Sequence, residues 1–394
     1  MNITLSRKME AFQTSIFNEL GAYKKQKIKE GMEVIDLSVG SPDLPPPDYV
    51  IEELTKHASN PLEYGYAMIG SDELYGAIKD YYYRQYQVSL HPENEVLVVK
   101  GSQDGLVHLP MLLTNPGDIV LVPDPGYTAY AVGISMADAT PYPMPLKEEN
   151  QFLPDLEEIP EEIRSKAKLM ILNFPGNPVP ALATKEFYQK VVEFAKKYNI
   201  AVLHDFAYSE LYYEEKPISF LSVEGAKEVG VEFNSFSKSF NMAGCRIGYV
   251  MGNPMIVDAL KRFNSNLDFG VFTPIQKAAI SALRHSSEFN DNLREIYKRR
   301  RDILINGLKE IGWLIDPPKA SMFIWAKIPE GYTSKEFTYK LIDETGIVVI
   351  PGNAFGIEGE GYVRIGLVQT EEVLKKVVSR LKESEIFPVD SLVY

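Results

Sequence analysis

Residues 168–206 read KLMILNFPGNPVPALATKEFYQKVVEFAKKYNIAVLHDF. This stretch begins and ends with short apolar runs of strand-forming residues, and a proline-rich loop follows the first run. Between the runs, residues 184–198 have the apolar spacing of an amphipathic helix, with Thr184 at the N-cap position. The pattern therefore predicts a βαβ unit, in which the two strands are parallel.

The same alternation of short β-rich runs and helices extends to both sides of this unit. The runs that we interpret as strands are 96–99, 119–122, 168–174, 201–206, 231–236 and 247–251. Strands that alternate with helices predict an α/β fold, with a mainly parallel sheet covered by helices on both faces. Such sheets bind ligands beyond the carboxyl ends of their strands.

A proline cluster separates the first part of the chain from this alternating region. PDLPPP, residues 42–47, breaks any helix and follows a predicted helix at 9–30 and a short strand at 34–37. We expect a large domain over 46–285 and a smaller α/β domain formed by 1–45 and 286–394. The placement of residues 1–45 rests on the proline boundary and on the resemblance described below.

The last part of the chain has a different pattern, which indicates a second α/β unit. The predicted elements are a helix at 291–310, a strand in SMFIWAKI, a helix near 334–344, strands in VVI and YVRIGL, and a helix near 370–383.

Composition and charge exclude several classes of protein. The chain has 394 residues and a formal net charge of −13, and an acidic surface repels nucleic-acid phosphates and anionic lipids. Its one cysteine, Cys245, allows neither an internal disulfide nor a multi-cysteine metal site, and we expect no metal. No signal-peptide core or bilayer-spanning apolar run is present in the sequence. We therefore expect a cytoplasmic protein with neither a membrane nor a nucleic acid as partner.

Polar residues follow several predicted strands, and each has a structural explanation beside a chemical one. Lys238 in SFSKSFNMAGCRIG could attack a carbonyl if it is buried and neutral, although a lone lysine is far more often exposed. Arg246 could bind a phosphate and favour the neutral lysine, or lie on the surface. Asp205 ends the strand AVLHD and could pair with a cationic ligand, with Tyr208 close by. A helix cap and a packed core tyrosine are the structural alternatives for these two residues.

Loops after other strands contain further candidates. Asn177 lies in the rigid loop NFPGNPVP, and Ser102 and Gln103 in GSQDG open a helix after a strand, as in many anion sites. Tyr127 in PDPGY could stack on a planar ring. Arg364 lies in the middle of the strand GYVRIGL, where it needs a carboxylate from a substrate or from a structural Asp or Glu.

The order of these features resembles that of one family. VGSPD (39–43), NFPGNP, HDFAY, SFSKSFNMAGCRIG and YVRIGL are similar to phrases of the class I and II aminotransferases, which are fold type I pyridoxal 5′-phosphate (PLP) enzymes. The resemblance covers nearly the whole chain. It implies a large PLP-binding domain with a mainly parallel sheet, a smaller α/β domain, and a homodimer whose sites are shared between subunits.

The resemblance also implies a role for each candidate. Lys238 would form a Schiff base with PLP and move the substrate proton, Asp205 would keep the pyridine nitrogen protonated, and Tyr208 would bond the phenolic oxygen with Asn177. Ser102, Gln103, Ser235 and Arg246 would bind the phosphate, Tyr127 would stack on the ring, and Gly40, Asn177 and Arg364 would bind the substrate α-carboxylate. Tyr64 or Tyr66 would reach the phosphate of the partner subunit, and we favour Tyr64.

The implied reaction is a ping-pong transfer of an amino group from an L-amino acid to a 2-oxo acid. The alternative is a PLP-dependent carbon–sulfur β-lyase on the same scaffold. A PLP-binding regulator is disfavoured because the segment before Gly40 is too short for a winged helix.

Substrate preference is less closely defined. GSQDGLVHLP, LVPDPGY and HDFAYSEL are most similar to the LL-diaminopimelate branch of the family, which also includes enzymes of broader specificity. Aspartate aminotransferases carry an arginine for the distal carboxylate in a stretch that corresponds to SNLDFGVFTP, residues 265–274, where this chain has none. We therefore expect the distal pocket to favour an uncharged or zwitterionic side chain over that of aspartate.

Overall fold

The computed structural model describes residues 3–6, 8–9, 12 and 16–387, so part of the helix predicted at 9–30 lies outside the described residues. The α-helices are α1 (Ile16–Lys29), α2 (Asp48–Ala58), α3 (Asp72–Tyr86), α4 (Ser102–Leu113), α5 (Thr128–Met136), α6 (Glu161–Lys166), α7 (Lys185–Tyr198), α8 (Ala226–Val229), α9 (Phe236–Ser239), α10 (Pro254–Leu267), α11 (Thr273–Arg284), α12 (Ser286–Glu310), α13 (Ser334–Thr345) and α14 (Glu371–Glu383). The strands are β1 (Ile35–Asp36), β2 (Val96–Val99), β3 (Ile119–Asp124), β4 (Thr140–Pro145), β5 (Ala167–Leu172), β6 (Ala201–Asp205), β7 (Gly230–Ser235), β8 (Gly248–Gly252), β9 (Phe323–Lys327), β10 (Ile347–Val348), β11 (Ile350–Pro351) and β12 (Tyr362–Gly366). Among these described helices, none is both long and apolar enough to cross a membrane.

One seven-stranded sheet forms the centre of the molecule, in the order β2–β8–β7–β6–β5–β3–β4. β8 runs antiparallel to its neighbours, and the other neighbouring strands are parallel. The predicted βαβ unit is β5–α7–β6, in which Leu172 pairs with His204. The predicted α/β fold with a mainly parallel, helix-covered sheet is therefore confirmed.

The central strands follow from their sequence. Nearly every residue of β5, β6 and β7 is buried, as expected for parallel strands with helices on both faces. Thr184 is the N-cap of α7, since its hydroxyl accepts a hydrogen bond from the backbone N–H of Phe187 at 3.1 Å. This unit fixes the carboxyl ends of two adjacent strands at one edge of the sheet.

β4 is absent from the strands that the sequence predicts. Its sequence, TPYPMP, has prolines at 141, 143 and 145, and proline disfavours a strand because it has no backbone N–H. β4 lies at the edge of the sheet, where alternate N–H groups face away from the neighbouring strand. Prolines at every second position are therefore compatible with pairing to β3.

Segments from both ends of the chain meet outside the large sheet. β1 pairs in parallel with β10, and β11, β12 and β9 form an antiparallel sheet in that order. Lys27 of α1 forms a salt bridge of 2.7 Å with Asp343 of α13, and Arg300 of α12 binds both carboxylate oxygens of Asp43. These contacts support a smaller domain built from both ends, and its limits at residues 45 and 285 stay a prediction.

Two glycines allow α4 to lie directly against the sheet. A Cβ on Gly105 would be 2.2 Å from the ring of Phe233 in β7, and a Cβ on Gly248 would be 2.7 Å from the backbone nitrogen of Ser102. A side chain at either position would push the helix away. Because Gly248 pairs with Ser235, the N-terminus of α4 lies beside the carboxyl end of β7.

Candidate active site

A cavity of about 540 Å³ opens at the carboxyl ends of the parallel strands. The large sheet forms one side, and residues of α1, β10, β11 and β12 line the other. The predicted site residues that line it are Gly40, Ser102, Gln103, Tyr127, Asn177, Asp205, Tyr208, Ser235, Lys238, Arg246 and Arg364. Of the predicted set, Tyr64 and its alternative Tyr66 lie elsewhere.

Asp205 is the last residue of β6 and is almost fully buried. Its carboxylate accepts hydrogen bonds from the hydroxyl of Tyr130 (2.9 Å) and from the backbone N–H of Ala207 (3.2 Å). It forms no salt bridge within the part of the chain that the structure describes. Burial raises the pKa of this carboxyl, and the Tyr130 hydrogen bond opposes the rise. A cationic N–H donor from a ligand would compensate this charge.

Lys238 lies on the one-turn helix α9, directly after β7. Its Nζ donates a hydrogen bond to the carbonyl oxygen of Gly40 at 2.5 Å. Burial, reinforced by the positive charges of Arg364 and Arg246, lowers the pKa of this amine to about 8. A lysine with this pKa is partly neutral near physiological pH, and the neutral amine is the form that attacks carbonyls and accepts protons.

The N-terminus of α4 and the side chain of Arg246 form an anion-binding end of the cavity. Gly101 caps α4 without a side chain, so the first N–H groups of the helix are left for another acceptor. The guanidinium of Arg246 lies against Gly101, where a Cβ would be 2.7 Å from Nη2. Ser102 and Gln103 line the same end, and the hydroxyl of Tyr127 donates to Oε1 of Gln103 at 3.1 Å. This donor set suits a phosphate group.

Arg364 lies in the middle of β12 and is only 3% exposed. Nη1 donates to Oδ1 of Asn177 and Nη2 to the carbonyl oxygen of Ser38, both at 2.7 Å, while the buried Nε has no partner among the described residues. Burial lowers the pKa of the guanidinium to about 10, which still leaves it charged at neutral pH. No carboxylate of the described residues pairs with it, so a structural Asp or Glu is not its partner there. A ligand carboxylate would satisfy this arginine.

The sequence analysis missed residues that position the predicted ones. Tyr130 binds the carboxylate of Asp205, and it lies one helical turn from Tyr127, a spacing that could have identified it. Asn173 follows β5 directly, donates to the carbonyl of Asp205 (2.7 Å) and accepts from the backbone N–H of Asn177 (2.9 Å). Asn173 thus fixes the Asn177 loop to the end of the neighbouring strand.

Tyr64 lies on the surface and is 62% exposed. Its hydroxyl donates to the carbonyl oxygen of Ala58 at 2.8 Å, and its ring packs on Phe272 with centroids 5.1 Å apart. Tyr66 is also exposed and packs on Phe269. Neither tyrosine lines the cavity of its own chain, and the action of Tyr64 in a partner's cavity stays a prediction.

Comparison with known proteins places this fold and cavity in a family. Residues 32–381 match the family model of aminotransferase class I and II, and the chain belongs to this family. It is a PLP-dependent aminotransferase of the branch that includes the LL-diaminopimelate aminotransferases, and the comparisons do not favour the carbon–sulfur β-lyase.

Individual relatives span almost the whole chain. The LL-diaminopimelate aminotransferase of Aquifex aeolicus (strain VF5) is 44% identical over 383 residues, which are 97% of this chain and 99% of that protein. The substrate-bound BacF structure from Bacillus subtilis matches with a TM-score of 0.92 and 40% identity, covering 97% of this chain and 98% of that one. A probable N-succinyldiaminopimelate aminotransferase from Thermus thermophilus matches with a TM-score of 0.89 and 33% identity, covering 94% of this chain and 100% of that one.

The residues of the cavity fit PLP, the cofactor of this family. The buried carboxylate of Asp205, which lacks a cationic partner among the described residues, suits a protonated pyridine nitrogen. The uncapped N-terminus of α4 with Arg246 suits the phosphate, and the desolvated amine of Lys238 suits a covalent bond to the aldehyde carbon.

We expect the cofactor-free protein to form its covalent bond with PLP faster as the pH rises, with a midpoint near 8. Only the neutral amine of Lys238 attacks a carbonyl, and this form predominates above its pKa of about 8. An ordinary lysine would give a midpoint above about pH 10. Rapid-mixing absorbance measurements between about pH 6 and 10 measure the midpoint.

Two variants test the cause of this midpoint. Arg364→Met removes a nearby positive charge and should move the midpoint upward, whereas the exposed Arg262→Met should leave it unchanged. A wild-type midpoint at the value of an ordinary lysine would contradict the desolvated environment of Lys238.

Proposed function

We propose that Lys238 and Asp205 share the central chemistry of amino transfer in this enzyme. The observation that supports this most directly is the carboxylate of Asp205, which is buried at the cavity with no salt-bridge partner among the described residues. PLP, when bound, supplies an acceptor for the electron pair of the broken Cα–H bond. Lys238 would hold the cofactor through Nζ, and the neutral Nζ would take the proton from the substrate Cα once the substrate amine has displaced it. Asp205 would keep a proton on the pyridine nitrogen and stabilise the charge that develops.

The remaining cavity residues orient the reactants. Arg364 and Asn177 bind the substrate α-carboxylate with the backbone of Gly40, and this fixes the Cα proton near Nζ of Lys238. Among the residues that line the cavity, Tyr208 and Asn177 would bond the phenolic oxygen, Tyr127 would stack on the ring, and Ser102, Gln103, Ser235 and Arg246 would bind the phosphate. A 2-oxo acid then runs the same steps in reverse, which gives ping-pong kinetics.

Asp205→Asn should retain PLP but lower the rate of Cα proton removal by about a hundredfold or more. The substitution preserves the shape and removes the charge that stabilises the transition state, an effect typically worth a few kcal/mol. Asp124→Asn is a control, since Asp124 ends the strand β3 outside the cavity and should retain near wild-type rates. Single-turnover kinetics with a donor deuterated at Cα measure the step, and wild-type rates in Asp205→Asn would disprove the role.

We further propose that the enzyme is a homodimer with shared sites. An exposed apolar patch supports this, because contiguous patches of this kind mark interaction surfaces. Its members are Leu62, Tyr64, Tyr66, Met68, Ile69, Leu267, Phe269 and Phe272. A second copy that covers this patch would also receive Tyr64 at its phosphate end.

A hybrid dimer tests both parts of this proposal. Lys238→Ala should be inactive and Tyr64→Phe weakened, because the first lacks the amine and the second lacks a phosphate ligand. A hybrid of the two, purified through different affinity tags, contains one intact site if Tyr64 acts across the interface, and its activity should exceed that of both parents. The exposed Tyr83→Phe is the matched control for Tyr64→Phe. A monomer in sedimentation experiments, or a hybrid whose activity does not exceed that of both parents, would contradict a shared site. Wild-type activity in Tyr64→Phe would favour Tyr66 as the phosphate ligand.

The amino donor that we propose has an uncharged or zwitterionic distal end, with LL-diaminopimelate as the leading candidate. Residues 265–274 contain no arginine to bind a second carboxylate, and they include the exposed Phe269 and Phe272. The 44% identical relative from Aquifex aeolicus is an LL-diaminopimelate aminotransferase. 2-Oxoglutarate is the proposed acceptor.

A half-reaction screen tests the donor. The holoenzyme is mixed with one amino acid at a time, and the loss of the absorbance of the lysine-bound cofactor is followed. LL-diaminopimelate and aromatic or sulfur-containing amino acids should react with higher kcat/KM than aspartate. Aspartate as the best donor would overturn this specificity.

A further inference from the structure

An ion pair lies on the cavity wall opposite the large sheet. Nζ of Lys24 in α1 is 2.6 Å from Oδ2 of Asp36 in β1, and both residues line the cavity. Their side chains are 30% and 19% exposed, so both are partly withdrawn from water but still open to the cavity. The reaction steps derived above use neither residue.

One face of α1 lines the cavity. Phe17, Leu20, Gly21 and Lys24 follow the spacing i, i+3, i+4 and i+7, and all four line it. The adjoining face of the helix is held by other contacts, since Lys27 and the hydroxyl of Tyr23 both bind Asp343 of α13. α1 therefore presents the amine of Lys24 to the cavity from a helix that other contacts fix.

Ser38 connects this ion pair to the proposed α-carboxylate site. The carbonyl oxygen of Ser38 accepts from Arg364, while the backbone N–H and hydroxyl of Ser38 donate to Oδ1 of Asp36 at 2.9 and 2.5 Å. Asp36 and Ser38 are two residues apart, which places their Cα atoms at most about 7 Å from one another. A substrate held by Arg364 would thus have the Lys24–Asp36 pair within reach of its side chain.

We propose that Lys24 and Asp36 are specificity-determining residues that bind the distal end of the substrate. This inference rests on the proposed function in taking Arg364 as the α-carboxylate ligand. Lys24 binds the distal carboxylate of a diamino dicarboxylic acid or of 2-oxoglutarate, and Asp36 binds a distal ammonium group. A zwitterionic end meets both charges of the pair.

The alternative is that the pair only fastens α1 to β1. Partly exposed ion pairs contribute little to stability, and the contacts to Asp343 already hold α1 in place. A structural role would affect all substrates alike, whereas a recognition role would affect only those with a distal charge. The two explanations therefore predict different values for the ratio of kcat/KM between a substrate with a distal charge and one without it.

The acceptor half-reaction measures this ratio without knowledge of the donor. 2-Oxoglutarate is compared with 2-oxopentanoate, which has the same carbon chain without the distal carboxylate. Lys24→Met should lower the ratio of their kcat/KM values roughly ten- to a hundredfold, the usual effect of losing a charge-assisted hydrogen bond. Lys24→Arg should keep this ratio close to its wild-type value. The exposed neighbour Lys25→Met is the matched control and should leave it unchanged.

Asp36→Asn should not cause the loss of kcat/KM for 2-oxoglutarate that is expected of Lys24→Met. Without Asp36, Lys24 no longer has a competing carboxylate, so kcat/KM for 2-oxoglutarate should rise or hold while that for LL-diaminopimelate falls. Equal losses for all substrates, or an unchanged ratio in Lys24→Met, would overturn the proposal. If LL-diaminopimelate is a poor donor for the wild type but Lys24→Met still lowers the acceptor ratio, the donor proposal fails and the role of Lys24 stands.

Discussion

The chemistry proposed for the cavity depends on buried charges that have no ion-pair partners among the described residues. Lys238, Arg364 and Asp205 lie in the same cavity, and each meets neutral hydrogen-bonding groups of the chain in place of an opposite charge. Isolated charges in a site of low polarity are unfavourable, and they are retained where a ligand supplies the compensating charge. The same burial that makes them costly lowers the pKa of Lys238, which increases the neutral fraction of its amine.

The large sheet makes this arrangement possible. Its parallel strands end at one edge, and the residues that directly follow or end these strands are held by the hydrogen bonds of the sheet itself. Asn173 links the ends of β5 and β6, and Tyr130 orients the carboxylate of Asp205 from a neighbouring helix. The polar groups are therefore already oriented before a ligand binds, which reduces the reorganisation that the reaction requires.

We propose different roles for the two sides of the cavity. The large sheet contributes the residues assigned to the cofactor, whereas α1, β1 and β12 contribute Arg364 and the Lys24–Asp36 pair. On this proposal, chemistry and substrate selection depend on separate structural elements. This separation allows relatives with the same fold to act on different amino acids, since residues of the second side can change without disturbing the first.

The amino-acid sequence by itself determined the fold class and most of the cavity. The apolar runs on both sides of α7 predicted parallel strands, and polar residues at the strand ends, such as Asp205, predicted a site at that edge. These signals are local, because burial on two faces and helix capping leave a pattern in neighbouring residues. β4 was missed since its prolines oppose a strand everywhere except at an edge, and the sequence does not show which strand is the edge.

Tertiary structure alone decided which distant residues meet. It showed that Arg364 binds Asn177 in place of an acidic side chain of the described chain, and that Lys24 reaches the wall of the cavity. Neither contact leaves a local pattern, because the paired residues are brought together by the packing of elements far apart in the chain. The role proposed for Tyr64 requires a second subunit, so it stays a prediction. Local periodicity thus specifies the elements of this enzyme, and only their packing specifies the distances on which recognition depends.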